Sequence, residues 1–330
     1  MSTNVLPLDT IDRKLLNLMQ TEFPLTDTPY AALGQKLGTD AGEVMRRIVG
    51  LKNREIIRLV GPVMDARSLG YRSTLVVMKI TESRLNKAEA VIARHTGVSH
   101  GYERGHNYNV WFTLALPPEA DVETEVAKLS SATGAEAAFS LPAVRLFKIG
   151  AYFDMGDNGH NTSVTQPGHA LSRKVELSAT DCLIINEVQQ DLPLVDTPFR
   201  AMAERVDMDV EQFLAGCRSL QQRGVIRRFS ACINHNHAGF TANALSAWKT
   251  SPETIDIAGQ KLASLREVSH CYERKTNSLW PYHLLAMIHG HSRDVCQEIA
   301  AGVSHETGIS DYRLLYSTKE FKKTRVKYQV

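Results

Sequence analysis

The sequence of 330 residues has no CxxC pair, and its five cysteines, Cys182, Cys217, Cys232, Cys271 and Cys296, all fall in the second half. An odd, scattered set without ligand spacing argues against a disulfide framework and against a structural zinc site. Long hydrophobic runs are missing too. None approaches the roughly 18 residues of a membrane span, and the opening MSTNVLPLDTIDRK lacks the apolar stretch of a signal peptide. The expectation is a reducing, cytoplasmic setting with no membrane contact. Charge of one sign is also lacking. Thirty-eight basic residues face 36 acidic ones, a net charge of +2, so no broad basic field is available to spread over nucleic acid. What is there, 43% apolar and 22% charged residues, is ordinary for a globular chain long enough for two domains.

Self-comparison is the most informative reading. Asp12, Phe23, Pro24 and Pro29 recur as Asp181, Leu192, Pro193 and Pro198, and Ile56-Ile57-Arg58 recurs as Val225-Ile226-Arg227, all at one offset of 169. One inserted residue later, Val98-Ser99-His100-Gly101-Tyr102-Glu103-Arg104 recurs as Val268-Ser269-His270-Cys271-Tyr272-Glu273-Arg274. The chain is a tandem duplication. Between the copies, Asp157-Asn158-Gly159-His160 through Gln166-Pro167-Gly168 is polar and reads as a surface tether.

Within each copy the periodicity changes partway along. Residues 8–20 and 177–190 space apolar positions as helices do, with Leu8, Ile11, Leu15 and Leu18 in the first. Pro29–Leu37 supplies a second helix and 40–54 a third, with Thr39-Asp40 as N-cap. Three short helices ending in Ile56-Ile57-Arg58-Leu59 form the pattern of a winged helix-turn-helix. Strand-like runs at Ser73–Lys79, Val110–Leu116 and 145–149 then alternate with helical ones at Leu85–Arg94 and Val122–Thr133. The implied βαββαβ order is a ferredoxin-like domain.

One strand is polar where a packed face should be apolar. Alternate strand residues share a side, so His100, Tyr102 and Arg104 point together, as do His270, Tyr272 and Arg274. Burying such groups without partners costs several kcal/mol, on the order of the penalty for an unpaired polar group. Two readings are open: a solvated strand face, or a site for a flat anionic ligand. In the second reading arginine forks carboxylates, an aromatic face stacks on a ring, and histidine ligates iron or moves a proton near neutral pH.

With these residues in view, the α+β chain resembles the AsnC/Lrp family throughout. In the regulators of that family the hairpin after this strand carries a Gly-Asp-Tyr-Asp type turn. Here the first copy reads SHGYERGHNYNVWFTL and ends FKIGAYFDM. The second reads IRRFSACINHNHAGF, HCYERKTNSLWPYHLLAMIHG and LYSTKEFKKTRVKY. Those signatures are similar to the siroheme decarboxylases, the first to the NirD/AhbA type and the second to the NirL/AhbB type, joined as in NirDL fusions. The resemblance implies winged helix-turn-helix units at 1–60 and 173–229, AsnC-type ferredoxin-like domains at 61–155 and 230–330, and a linker at 156–172. It further implies decarboxylation of the two acetate side chains, C12 and C18, of siroheme to 12,18-didecarboxysiroheme in haem d1 biosynthesis. No cofactor or metal is implied beyond the substrate's own iron. The implied partners are siroheme itself and, through an intrachain pseudo-dimer, the other copy. A further homodimer and contacts with other proteins of haem d1 biosynthesis are left open.

The resemblance places functional histidines on this hairpin. The expected proton donors are His100 with His106 in the first copy and His270 in the second. Arg58, Arg104, Arg227, Arg228 and Arg274 are expected to hold the carboxylates of the macrocycle, with Lys319, Lys322 and Lys323 adding positive charge. Tyr102, Tyr272, Trp111, Trp280, His235 and His283 complete the expected binding set. On sequence alone Trp111 and Trp280 read first as core, and His289 and His291 as exposed turn histidines. His106 has Thr276 at its place in the second copy, and His283 falls opposite Thr113 at the same offset, so the copies have diverged in this hairpin. Two rivals remain. A DNA-binding AsnC/Lrp regulator would use Arg46, Arg47, Lys52 and Arg54, but the matching helix of the second copy opens on Asp207, Asp209 and Glu211. A non-catalytic tetrapyrrole-binding protein would keep the arginines and dispense with proton donors.

Overall fold

The computed structural model describes residues 8–21, 23–150, 155, 172–234 and 242–330. Its first copy runs α1 (Thr10–Thr21), α2 (Pro29–Leu37), α3 (Ala41–Asn53), β1 (Ile57–Met64), β2 (Arg72–Lys79), α4 (Leu85–Arg94), β3 (Val98–Arg104), β4 (Val110–Leu116), α5 (Val122–Thr133) and β5 (Ala137–Ile149). The second copy repeats the order as α6 (Ala179–Val188), α7 (Pro198–Arg205), α8 (Val210–Gln222), β6 (Ile226–Ile233), β7 (Ala242–Trp248), α9 (Ile255–Ser264), β8 (Val268–Arg274), β9 (Leu284–Gly290), α10 (Arg293–Thr307) and β10 (Tyr312–Lys323). The inter-copy tether and His235 lie outside the described residues.

Local chemistry sets the helix ends. Proline opens α2 and α7, where a missing N–H costs nothing. The Asp40 carboxylate accepts the Glu43 N–H at 2.8 Å at the head of α3, and Gly38 ends α2 at φ 71°, a left-handed value that glycine takes without strain. The buried stripe of α1 is Leu15, Leu16 and Met19, rotated from the expected one, so Leu8, Ile11 and Leu18 sit at its partly covered margin.

The copies are built into one another. Helices of both trios share a single core, from Leu15, Leu33 and Ile48 to Ile185, Phe213 and Leu220. The Tyr30 hydroxyl donates to the Pro193 carbonyl across the copies at 2.9 Å. The wing strands pair across the copies and not within them. Instead β1 pairs antiparallel with β6, Val60 opposite Ala231 and Pro62 opposite Phe229.

The remaining eight strands close into a barrel in the order β10-β3-β4-β2-β5-β8-β9-β7. Closure depends on two long strands that cross between copies. The front half of β5 pairs with β2 and its back half with β8. In the same way β10 pairs first with β7 and then with β3. Helices cover the outside of each sheet half, over Val76, Phe112 and Leu114 in one and Ala244, Leu284 and Ile288 in the other. The inside is filled by Val77, Trp111, Phe139, Leu245, Trp280, Leu285 and Leu315, drawn from both copies.

Candidate active site

The polar trios face this interior, since Tyr102 lies opposite Trp111 and Tyr272 opposite Leu285, both members of the inner core. The solvated-strand reading is therefore incorrect. Arg104 is 5% exposed, and the other five side chains of the trios are largely enclosed. Burial pushes the Arg104 and Arg274 guanidiniums down to about 10 and the Tyr102 and Tyr272 hydroxyls up.

The two arginines do corresponding work. Arg104 Nη1 donates to the Leu315 carbonyl of β10 at 2.9 Å, and Arg274 Nη1 to the Leu141 carbonyl of β5 at 3.0 Å. Each ties down the strand that crosses between copies and lies over its own tyrosine ring, 5.3 Å and 4.6 Å from the centroid. One fork nitrogen of each arginine is therefore committed to a backbone oxygen of the crossing strand rather than to a carboxylate. Each Nε is nonetheless left without an acceptor.

His100 and His270 come from opposite copies toward the same end of the barrel, and His270 lies within electrostatic range of His100. His270 is pushed down to about 3 by burial first, then by the charges of His289, His100, Arg228 and Arg274. His100 is pushed down to about 4 by burial, Lys323 and Arg58. Both rings are neutral at pH 7. Each Nδ1 contacts the hydroxyl of the preceding serine, Ser99 at 2.9 Å and Ser269 at 2.8 Å.

The β1/β6 sheet lies over this end of the barrel. Arg58 of β1 donates to Glu320 at 2.6 Å and to the Lys323 carbonyl at 3.1 Å. Arg227 of β6 donates to Asp65 at 2.6 Å, so it is engaged as well. Behind them stand Arg228, Lys323 and Arg325, whose charged forms are all disfavoured, chiefly by burial; Arg227 adds to this for Arg228, Arg58 for Lys323 and Arg228 for Arg325. Lys319 and Lys322 are used elsewhere, on Glu89 and on the His95 carbonyl. Arg325, beyond β10, lies within the LYSTKEFKKTRVKY signature but was not singled out as a site residue.

Other expected residues fall outside this cluster. His106 follows β3 at its far end, on the order of 15 Å from His100 by strand rise. It lies beside Tyr108 (ring centroids 6.0 Å apart) and against Trp280 at 5.7 Å. His106 therefore stands apart from His100. Trp111 and Trp280 pack edge to face at 5.0 Å in the inner core, the structural role that the apolar strands suggested. His283 is the counterpart of Asn109, not of Thr113: the Arg274 N–H bonds its carbonyl as the Arg104 N–H bonds that of Asn109. The second hairpin is longer, so the constant offset fails there. His289 is a further correction, buried at 9% exposure and not on a turn. His235 lies outside the described residues. A surface cleft of about 520 Å³, lined by Leu69, Tyr71, Pro118, Lys174, Leu177 and Cys182, contains none of the expected site residues.

Comparison with known proteins matches this architecture throughout. The AsnC-like ligand binding domain matches residues 68–148 and 237–322, and the siroheme decarboxylase NirDL-like HTH domain matches residues 12–58 and 181–227. The siroheme decarboxylase of Hydrogenobacter thermophilus is 36% identical over 96% of this chain and 94% of its own length. The crystal structure of the siroheme decarboxylase NirDL in co-complex with an iron-uroporphyrin III analogue superposes with a TM-score of 0.71 at 33% identity, covering 97% of this chain and 95% of that one. The siroheme decarboxylase beta subunit of Methanosarcina barkeri is 38% identical over 46% of this chain and 99% of its own length.

Proposed function

The chain belongs to the siroheme decarboxylase family, and from that premise we propose that it is a carboxy-lyase removing CO2 from the C12 and C18 acetates of siroheme to give 12,18-didecarboxysiroheme for haem d1. One observation supports this above the others. Arg228, Lys323 and Arg325 are partly buried cations that stand with Arg58 over this end of the barrel, each with its charged form disfavoured by desolvation and by a neighbouring cation. Such a cluster favours an anionic occupant, since each carboxylate it receives relieves the mutual repulsion. Siroheme carries eight carboxylates. A related enzyme holds an iron-uroporphyrin III analogue, another iron tetrapyrrole.

In this reading the cations orient the macrocycle and neutralise the carboxylates that stay. At each reacting acetate the bond from methylene to carboxylate breaks, CO2 leaves, and the electron pair passes into the ring. A proton then completes the methyl group. His100 and His270 deliver protons, because the substrate's negative charge raises their affinity for them on binding. Tyr102 and Tyr272 flank the ring, and Arg104 and Arg274 set barrel shape and offer Nε as a remaining donor. The substrate's iron is the one metal in the scheme, and no other cofactor takes part. The five free cysteines accord with a cytoplasmic location.

The decisive experiment is anaerobic incubation with siroheme followed by mass analysis. Products lighter by one and two CO2 are expected, and siroheme bound unchanged would favour a carrier. The regulator reading draws no support from α3, where Arg46 and Arg47 pair with Glu43, and Lys52 reaches Asp191 at 2.7 Å.

A further inference from the structure

The two histidines at the barrel end are held differently. In the second copy the Asn243 Oδ1 stands 2.5 Å from His289 Nδ1, His289 Nε2 stands 2.7 Å from the Ser269 hydroxyl, and that hydroxyl stands 2.8 Å from His270 Nδ1. All of the relay is deep: Ser269 is 3% exposed, Asn243 8% and His289 9%. In the first copy Ser99 stands against His100, but register places Ala115 where His289 stands and Ser73 where Asn243 stands. The chain therefore continues on one side and stops at the serine on the other.

The direction of the chain follows from its end. The Asn243 carbonyl oxygen can only accept, so His289 carries its proton on Nδ1 and presents Nε2 as an acceptor. The Ser269 hydroxyl then donates to His289, and its lone pair faces His270, which must donate from Nδ1. A neutral imidazole has one N–H, and its place is set by the bond the other nitrogen makes.

We propose that His289, with Asn243 and Ser269, is a positioning residue that locks His270 as the Nδ1–H tautomer, leaving Nε2 as the one nitrogen that takes up and returns a proton. Among the described residues His100 has no such second anchor, so either tautomer is open to it. This deepens the decarboxylase reading and rests on it: the two acetates are lost through unequal acids, with the second copy's half the one that depends on the relay. The groups facing His270 are His289 from β9, His100 from β3, Arg228 from β6 and Arg274 on its own strand. The three cations or potential cations from other strands oppose protonation from outside, so a fixed direction for the incoming proton has a function here.

Long-range 1H–15N spectra of the full chain with 15N-labelled histidine, assigned with His270→Gln, read the tautomer without substrate. A protonated Nδ1 and a bare Nε2 at His270 are expected in the unaltered chain, and a protonated Nε2 there would overturn the proposal. His289→Leu should mix the tautomers, make the monodecarboxylated product accumulate at least tenfold, and move the acid limb of the pH–rate profile. His289→Gln, which still accepts from Ser269, should restore both readouts to within about threefold and guards against a folding defect in the leucine variant. Equal product ratios in the leucine variant and the unaltered chain would also overturn it. Failure of the unaltered chain to convert siroheme would instead count against the decarboxylase reading, and the spectra would still decide the tautomer.

Discussion

At the scale of single residues, the repeat of His-x-Tyr-x-Arg could be read from strand alternation alone, and both trios do turn inward together. What the sequence could not carry was the approach of His100 and His270 to the same end of the barrel. They are 170 positions apart, and only barrel closure brings them to one place. His106 was named with His100 because the family resemblance places functional histidines on this hairpin, and the strand between them holds the two apart. His100→Gln or His270→Gln should lower turnover by roughly 10²–10⁴-fold, the usual share of a general acid, while His106→Gln should change it less than threefold; single-turnover product analysis separates them. The same two histidines carry a pH signature. Their folded values lie near 4 and 3, below the ~6.5 of an unfolded histidine. Between those limits the unfolded chain binds more protons, so stability is full above pH 6.5 and falls as pH drops toward 4. At pH 5 the loss is about 2 kcal/mol per histidine. Urea midpoints against pH should show it, and the double glutamine variant should flatten the curve.

At the scale of elements, helix ends were the most legible feature, because Asp40, Gly38 and the two prolines act through local chemistry. Strand β5 was read as only its last five residues. Its front half, Ala137–Leu141, was left out; there β2 pairs along one edge while the two faces serve different cores. The wing strands could be placed but not paired for a related reason: β1 and β6 find partners in each other, and no local turn announces that. The crossing of β10 over β3 is close. Gly101 has no side chain because the Phe321 ring of β10 occupies that space. Gly101→Ala would force the ring away and lower stability by about 1–3 kcal/mol, visible as a lower denaturation midpoint with unchanged slope. Its counterpart Cys271, opposite Lys148, already bears a side chain, so Cys271→Ala should be much milder.

At the scale of the whole molecule, fusion and exchange are separate devices. The helix trios share one core, and the barrel is complete only when both copies contribute. The relative that spans one copy is a subunit, which fits a chain whose halves are partners by construction. Co-expressed fragments 1–155 and 172–330 should therefore assemble one to one and retain decarboxylation within threefold of the intact chain. Either fragment alone should be aggregated or self-paired on gel filtration. Two folded, independent monomers would contradict the exchange described above.

The position of β10 at the far end of the gene product has a consequence for biogenesis. When residue 149 leaves the ribosome, β3 still has one bare edge, and its proper neighbour is not yet translated. At ordinary elongation rates of about 5–20 residues per second, that edge waits on the order of ten to thirty seconds. During that interval two nascent chains on one messenger can capture each other's edges, so the timing of synthesis, as much as the finished contacts, decides whether one polypeptide closes on itself.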